Sequence, residues 1–336
     1  MRIGVVLAHT GRLALLGSPL EYVARTFGEH EMVLRDSHST AAGARRAASQ
    51  LILQDKASLI LTLGGTDTVP AVAETCERLR TPCLSTVLPW QVWLGDRDPR
   101  WSFHFCWGLD DIATVFADMW EQVAPACTVG CLWNDGPQGE ASRRWFAPVA
   151  RERGHHLVDP GYREDTGAVP DFSGVDVITG APTAEDLARL RVKPKLITCS
   201  RWLTYPFGVA KHGLVNVATI VSWTPHHTTG GHELAASYEK ATNRPWLQPL
   251  GLARALFEVA SHVMSTDKAE IAHNLRHTNL ETVAGRLDWT NGPAPGVATV
   301  ALAGGQWRAG PELMIVSNQR TRYAPVTGQL IVNDTL

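Results

Sequence analysis

The sequence has no run of 18 or more apolar residues, so it offers no membrane-spanning helix, and no direct membrane insertion is expected. It has no GxGxxG after an apolar strand and no GxxxxGK[ST], which leaves dinucleotide and phosphate-loop enzymes without support. Charge of one sign is also missing: 31 basic against 33 acidic residues give a net charge of −2, and no nucleic-acid or anionic-membrane partner is expected. Six cysteines (Cys76, Cys83, Cys106, Cys127, Cys131 and Cys199) follow no zinc-ligand spacing. Cys127 and Cys131 sit four apart on an extended segment, too distant for a bridge. They read as small core residues, and no metal or cofactor is expected. Met1-Arg2-Ile3-Gly4 enters a strand at once, so this opening is expected to be part of the fold and not a signal peptide. Two expectations stay open: a cytoplasmic protein, or a periplasmic or membrane-anchored extracellular one whose export segment is removed.

What is present is a large apolar content. With 336 residues and 44% hydrophobic side chains, the chain suits two domains of about 150 residues each. Tryptophan is over-represented at twelve, and indoles favour sites where one edge stays wet.

Short apolar strands alternate with amphipathic helices. Strand Ile3–Ala8 runs through His9-Thr10-Gly11 into a helix ending near Gly28. Strand Met32–Arg35 leads to a helix from Thr40 to Gln54, strand Ser58–Leu63 to a helix over Val69–Leu79, and strand Pro82–Ser85 follows. After Gly108 the pattern restarts: helix Asp110–Val123, strand Thr128–Trp133, a turn through Gln138, and helix Glu140–Arg153. Strands His156–Val158, Val175–Thr179, Leu196–Ser200 and Val217–Trp223 complete a second sheet. Gln248–Met264 carries a helical apolar stripe, and the tail from Val297 is strand-like. Such alternation predicts an α/β fold of two Rossmann-like lobes with parallel sheets. With no low-complexity linker, three short crossings near Gly108, Pro225 and Val297 must join them. The expected lobes are 1–108 with 230–298, and 109–229 with 299–336.

The richest segment is Ala47–Trp93. Its turn Gly64-Gly65-Thr66-Asp67-Thr68 follows an apolar strand and opens a helix, and Ser85-Thr86 ends the next strand. Turns at the carboxyl ends of neighbouring parallel strands gather ligands. A helix N-terminus offers unpaired N–H groups to a carboxylate, hydroxyls add neutral donors, and Trp90 and Trp93 add apolar walls.

The opening IGVVLAHTGRLALLG, the block LILTLGGTDTVPAVAETCERLRTPCLST, the segment VGCLWNDGPQGEASRRWFAPVARERGHHLVDPG, and NRPWLQPLGLARALFEVA with GVATVALAGGQW resemble, in order and over nearly the whole chain, one family. It is the type I solute-binding proteins of ABC importers, in the branched-chain amino acid group. The resemblance implies two lobes joined by three crossovers that close on a ligand in the inter-lobe cleft like a flytrap. It also implies a membrane permease as partner, a monomer, and an amino acid or small aromatic carboxylate as ligand. Carried over motif by motif, it places ligand contacts at Thr10, at Gly65, Thr66, Asp67 and Thr68, at Ser85 and Thr86, and at Trp90. In the second half it places them at Gln138, Arg201, Trp202, Trp223 and Gln248. Gln138 replaces an aromatic common at its position, one helix before strand Val175–Thr179 looks deleted, and no acidic residue for an α-ammonium group is evident. These departures favour a carboxylate without an amine.

Plainer readings compete. Thr66 and Thr68 serve a ligand, a helix cap or both; Asp67 suits a cap better, since its charge repels an anion. Trp90, Trp93, Trp202 and Trp223 are wall or core, and Arg201 is a surface ion-pair partner or a carboxylate clamp. His226, His227, His232 and Glu233 match no ligand spacing. GGTDT resembles part of an asparaginase motif, but the required second threonine sequence near the N-terminus is replaced by HTGRL, so no catalytic residue is expected. A cytoplasmic amide- or amino-acid-sensing regulator on the same fold is the alternative to an importer component.

Overall fold

A computed structural model describes residues 2–27, 30–164, 166–201, 211–226, 230–308, 312–319 and 325–333. The chain forms two compact units, Met1–Trp107 with Trp223–Val300, and Gly108–Ser222 with Ala301–Leu336. Elements are numbered along the whole chain.

The first unit holds strands β1 (Arg2–Leu7), β2 (Glu31–Asp36), β3 (Leu59–Leu63), β4 (Cys83–Thr86), β5 (Ser102–Phe105) and β13 (Val297–Ala298). They form one sheet in the order β13-β5-β4-β3-β1-β2, parallel throughout. Central β3 is buried along its whole length, as a strand covered on both faces must be. Helices α1 (Ala14–Thr26), α2 (Ala41–Leu53), α3 (Thr68–Arg78), α4 (Trp90–Leu94), α8 (Gly231–Thr242), α9 (Pro249–Val263) and α10 (Lys268–Arg276) accompany it. Thr40 caps α2 by accepting from Gly43 N at 3.1 Å, and Ala44, Ala47, Ala48 and Leu51 then pack with Val72 and Cys76 of α3. In α9 the expected stripe is buried, and Gly251 makes room for Trp223: a Cβ there would lie 2.2 Å from the indole Cγ. A hairpin, β11 (Asn279–Thr282) with β12 (Gly285–Asp288), completes the unit.

The second unit holds β6 (Thr128–Leu132), β7 (His156–Val158), β8 (Val177–Gly180), β9 (Leu196–Cys199), β10 (Val217–Val221), β14 (Ala303–Arg308) and β15 (Glu312–Ser317), with α5 (Leu109–Trp120), α6 (Pro137–Glu152) and α7 (Ala184–Ala188). The order is β15-β14-β10-β9-β8-β6-β7; β14 and β15 run antiparallel, so this sheet is mixed. Helix α6 starts at Pro137 rather than Glu140, because proline suits the first turn, where no N–H partner is needed. No helix occupies the described residues between β7 and β8. Phe172 fills that space, its ring so close over Gly130 that a Cβ there would meet Cδ1 at 2.4 Å. All six cysteines are buried and free. Among the described residues, no helix is long and apolar enough to cross a membrane.

Candidate functional site

The order β3-β1-β2 means the chain leaves β1 toward one side and returns on the other. Beyond the carboxyl ends of β1 and β3 this reversal opens a crevice, the place where parallel sheets receive ligands. Two loops border it: His9–Leu13, entering α1, and Gly64–Asp67, entering α3. Neither helix has a side-chain cap, and neither has an acidic residue in its first turn. In α3, however, the first-turn N–H groups of Thr68 and Val69 already donate to Gly65 O at 3.2 and 3.1 Å, and Pro70 has none. The donors of this turn left without a partner among the described residues are the N–H groups of Thr66 and Asp67.

Within the second loop the hydroxyls divide their work. Thr68 is buried, and its Oγ1 accepts from Gly65 N at 3.2 Å, which closes the turn. Gly64 is required there, since a Cβ would lie 2.4 Å from that oxygen. Thr66 is half-buried and its hydroxyl has no hydrogen-bond partner among the described residues. Asp67 does not cap. Its backbone is already helical (φ −90°, ψ −37°), whereas a capping side chain needs an extended residue. Its carboxylate instead accepts from Arg12 Nη2 at 2.9 Å, tying the two loops together.

The first loop is organised by Asp36, at the end of β2. Asp36 Oδ1 accepts from His9 N at 3.0 Å and His38 N at 2.8 Å, and Oδ2 accepts from the Thr10 hydroxyl at 2.7 Å. Burial alone would raise the Asp36 pKa, but the Thr10 hydroxyl and the N–H groups of His38, Thr10 and His9 together hold it below the usual aspartate range. Sequence reasoning missed this residue. The signal was the polar run Asp36-Ser37-His38-Ser39-Thr40, directly after an apolar strand.

Ser85 and Thr86 are the last residues of β4, and both hydroxyls are spent on β5. Ser85 Oγ lies 2.8 Å from His104 Nδ1, and Thr86 Oγ1 donates to Phe105 O at 2.7 Å. His104 Nε2 reaches Leu88 O at 2.7 Å, so the ring straps the loop after β4. Burial pushes the His104 pKa down to about 3, and the bond to Leu88 only partly offsets this. Trp93 stacks on that ring, with centroids 4.9 Å apart, and is core. Within the strapped loop Val87 adopts φ +75°, a strained value for a β-branched residue, of the kind held at ligand loops. Trp90, half-buried, opens α4 next to it.

The remaining expected contacts are dispersed. Gln138 is half-buried in the first turn of α6, beside the reversal between β6 and β8 in the second sheet. Arg201 follows β9 and forms an ion pair with Glu164. Trp223 is fully buried, edge-on to Trp246 with centroids 5.8 Å apart, and Gln248 is buried at the start of α9. Trp202 and His227 lie outside the described residues. Among the described residues no group of three metal-ligating side chains occurs.

Residues 1–311 match the family model of the periplasmic binding proteins. No curated protein matches the chain. A leucine-binding protein of Thermotoga maritima has a similar structure (TM-score 0.79, 16% identity, 94% of this chain and 98% of that one). So does a branched-chain amino acid transporter substrate-binding protein of Streptococcus pneumoniae, solved with isoleucine (TM-score 0.75, 14% identity, 99% of each chain). A third is an ABC-transporter solute-binding protein of Rhodopseudomonas palustris, in complex with 3,4-dihydroxybenzoic acid (TM-score 0.74, 14% identity, 98% of each chain). At these identities the likeness is one of fold.

Proposed function

The chain belongs to the periplasmic binding protein family, and from that premise we propose that it captures a small carboxylate, an amino acid or aromatic acid, for an ABC importer. The observation that carries this reading is the crevice between β1 and β3. It combines the Thr66 hydroxyl, which has no hydrogen-bond partner among the described residues, with the N–H groups of Thr66 and Asp67 and a glycine turn that lets an anion approach the backbone. The carboxylate docks on the Thr66 hydroxyl and on the N–H groups of Thr66 and Asp67, while Trp90 covers the apolar part. Each charge-assisted hydrogen bond contributes about 1.5–3 kcal/mol net, and burial of a ring a similar amount. Together these reach micromolar affinity after ordering costs.

The work is binding, not catalysis. The crevice brings together donors for an anion, and the hydroxyls at Thr68, Ser85 and Thr86 are held by neighbouring backbone or ring groups rather than paired with a base that faces a substrate. The protein acts outside the cytoplasmic membrane, as its family implies, as a monomer whose hinge closes on the ligand and which a permease then recognises. A thermal-shift panel of amino acids and aromatic acids tests the reading, because a ligand that binds the folded state raises Tm. No shift with any carboxylate at millimolar concentration would overturn it.

A further inference from the structure

Past the carboxyl end of β4 the chain runs through Val87-Leu88-Pro89 into α4, and this loop is held from the neighbouring strand. His104 of β5 pairs with Ser85 of β4 on one side and with Val297 of β13 on the other, and it is completely buried. Its Nε2 lies 2.7 Å from Leu88 O and its Nδ1 2.8 Å from Ser85 Oγ. A carbonyl only accepts, so Nε2 of the neutral ring carries the hydrogen, and the bare Nδ1 takes the Ser85 hydroxyl proton. Trp93 lies flat on the ring, with planes 9° apart, and the Trp289 indole donates to His104 O at 3.1 Å. Ring and backbone are both fixed, so the bond to Leu88 O fixes the loop.

The loop needs holding. Val87 sits at φ +75°, a conformation that crowds a β-branched side chain and that an unrestrained loop would leave. The N–H groups of Val87 and Leu88 have no hydrogen-bond partner among the described residues, although Leu88 is only 2% exposed. The N–H of a buried residue rarely goes unpaired, and here it is left to a group from outside the chain. Leu63 and Thr86 are in register on adjacent strands, so Val87 leaves the sheet beside Gly64, about 4.8 Å away. Free donors thus stand on adjoining turns, Thr66 and Asp67 on one, Val87 and Leu88 on the other.

We infer that His104 is a positioning residue for ligand binding: its bond to Leu88 O keeps Val87 in the strained conformation that leaves two N–H groups free for the ligand's carboxylate. The inference rests on the carboxylate reading and adds to it a residue that never touches the ligand. The strain is borne before the ligand arrives, offset by the buried ring, so binding meets a loop that needs no reordering.

Calorimetry with leucine and with benzoate tests it, beside Tm without ligand. Val87→Gly keeps both N–H groups and removes the strain, so the bare fold is expected to melt at the wild-type temperature or above. The ligand must then order a loosened loop, and affinity for whichever probe binds is expected to fall about three- to tenfold. His104→Asn can still face Ser85 but is too short for Leu88 O, and a loss of about tenfold is expected. His104→Gln sets an amide nitrogen near the place of Nε2 and is expected to recover affinity to within about threefold of the wild type. In wild-type NMR spectra the Val87 and Leu88 amide protons are expected to move downfield as the probe saturates the protein. Wild-type affinity in Val87→Gly, equal affinities in the two folded His104 variants, or unmoved Val87 and Leu88 amides with a probe bound overturns the positioning role and leaves the carboxylate reading standing. Should the His104 variants fail to fold, Val87→Gly and the amide shifts decide alone. If neither leucine nor benzoate binds, the inference falls, and the wider panel of carboxylates decides the reading separately.

Discussion

Arg12 Nη2 stands 2.9 Å from Asp67 Oδ2, so the loop that leaves β1 is tied to the turn that leaves β3 across the sheet's reversal point. Both side chains are about half exposed, and screening by solvent leaves such a pair worth well under about 1 kcal/mol to the fold. Its weight falls on charge near the ligand. Asp67→Asn removes a negative charge beside the docking turn and is expected to leave Tm nearly unchanged while tightening carboxylate binding a few-fold at low salt. Titrations at low and at about 0.5 M salt check this, since the gain should shrink as salt rises. Weaker binding in Asp67→Asn would show that the aspartate organises the turn instead.

His104 is expected to stay neutral in the folded protein. Burial first, with the Leu88 bond only partly opposing it, sets its folded pKa at about 3, below an unfolded value of about 6.5. The sign follows: above pH ~6.5 neither state carries the proton, and as pH falls toward 3 the unfolded state gains it first, so stability declines across that window. The His104 ring resonance in NMR should not move between pH 8 and about 4.5. A titration midpoint between about 6 and 7 would contradict the buried strap.

Gly251 tests the first core. Gly251→Ala would bring a methyl within 2.2 Å of the Trp223 ring, and the rigid indole has little room to shift. A loss of roughly 1–3 kcal/mol in urea unfolding is expected, despite the helix propensity gained from alanine. An unchanged or higher stability would mean that Trp223 is loosely held.

Trp90 separates side-group recognition from anchoring. Trp90→Ala should weaken an aromatic acid more than a short aliphatic one, because ring-on-ring contact is lost only for the first. Equal losses for both ligands would assign Trp90 to the fold of α4 alone.

Much of this was legible in the sequence because periodicity reports burial. The apolar β3, interrupted only by Thr62, and the stripe of α9 announced themselves, and the Gly64–Thr68 turn was readable from its glycines and from its place between strand and helix. What escaped depended on partners distant in sequence. β5 is only four residues, and its Ser102 and His104 look polar until Glu77 and Ser85 are seen to bind them. Asp36 reads as a solvated strand end, yet it gathers bonds from His9 and Thr10 across 26 and 27 positions. Asp67 suits a cap by residue type and by its repulsion of an anion, and only its helical backbone sends the side chain to Arg12. Trp223 offered no way to tell wall from core until Gly251 and Trp246 were placed around it.

Thr66 carries the central claim. Calorimetry of the tightest carboxylate from the panel should show Thr66→Val losing about 1.5–3 kcal/mol of binding, while Tm without ligand stays that of the wild type. The Thr66 hydroxyl has no hydrogen-bond partner among the described residues, so the variant removes a bond to the ligand and leaves the bonds of the turn in place. Wild-type affinity in a folded Thr66→Val protein would contradict the account and move the anchor away from the turn between β3 and α3.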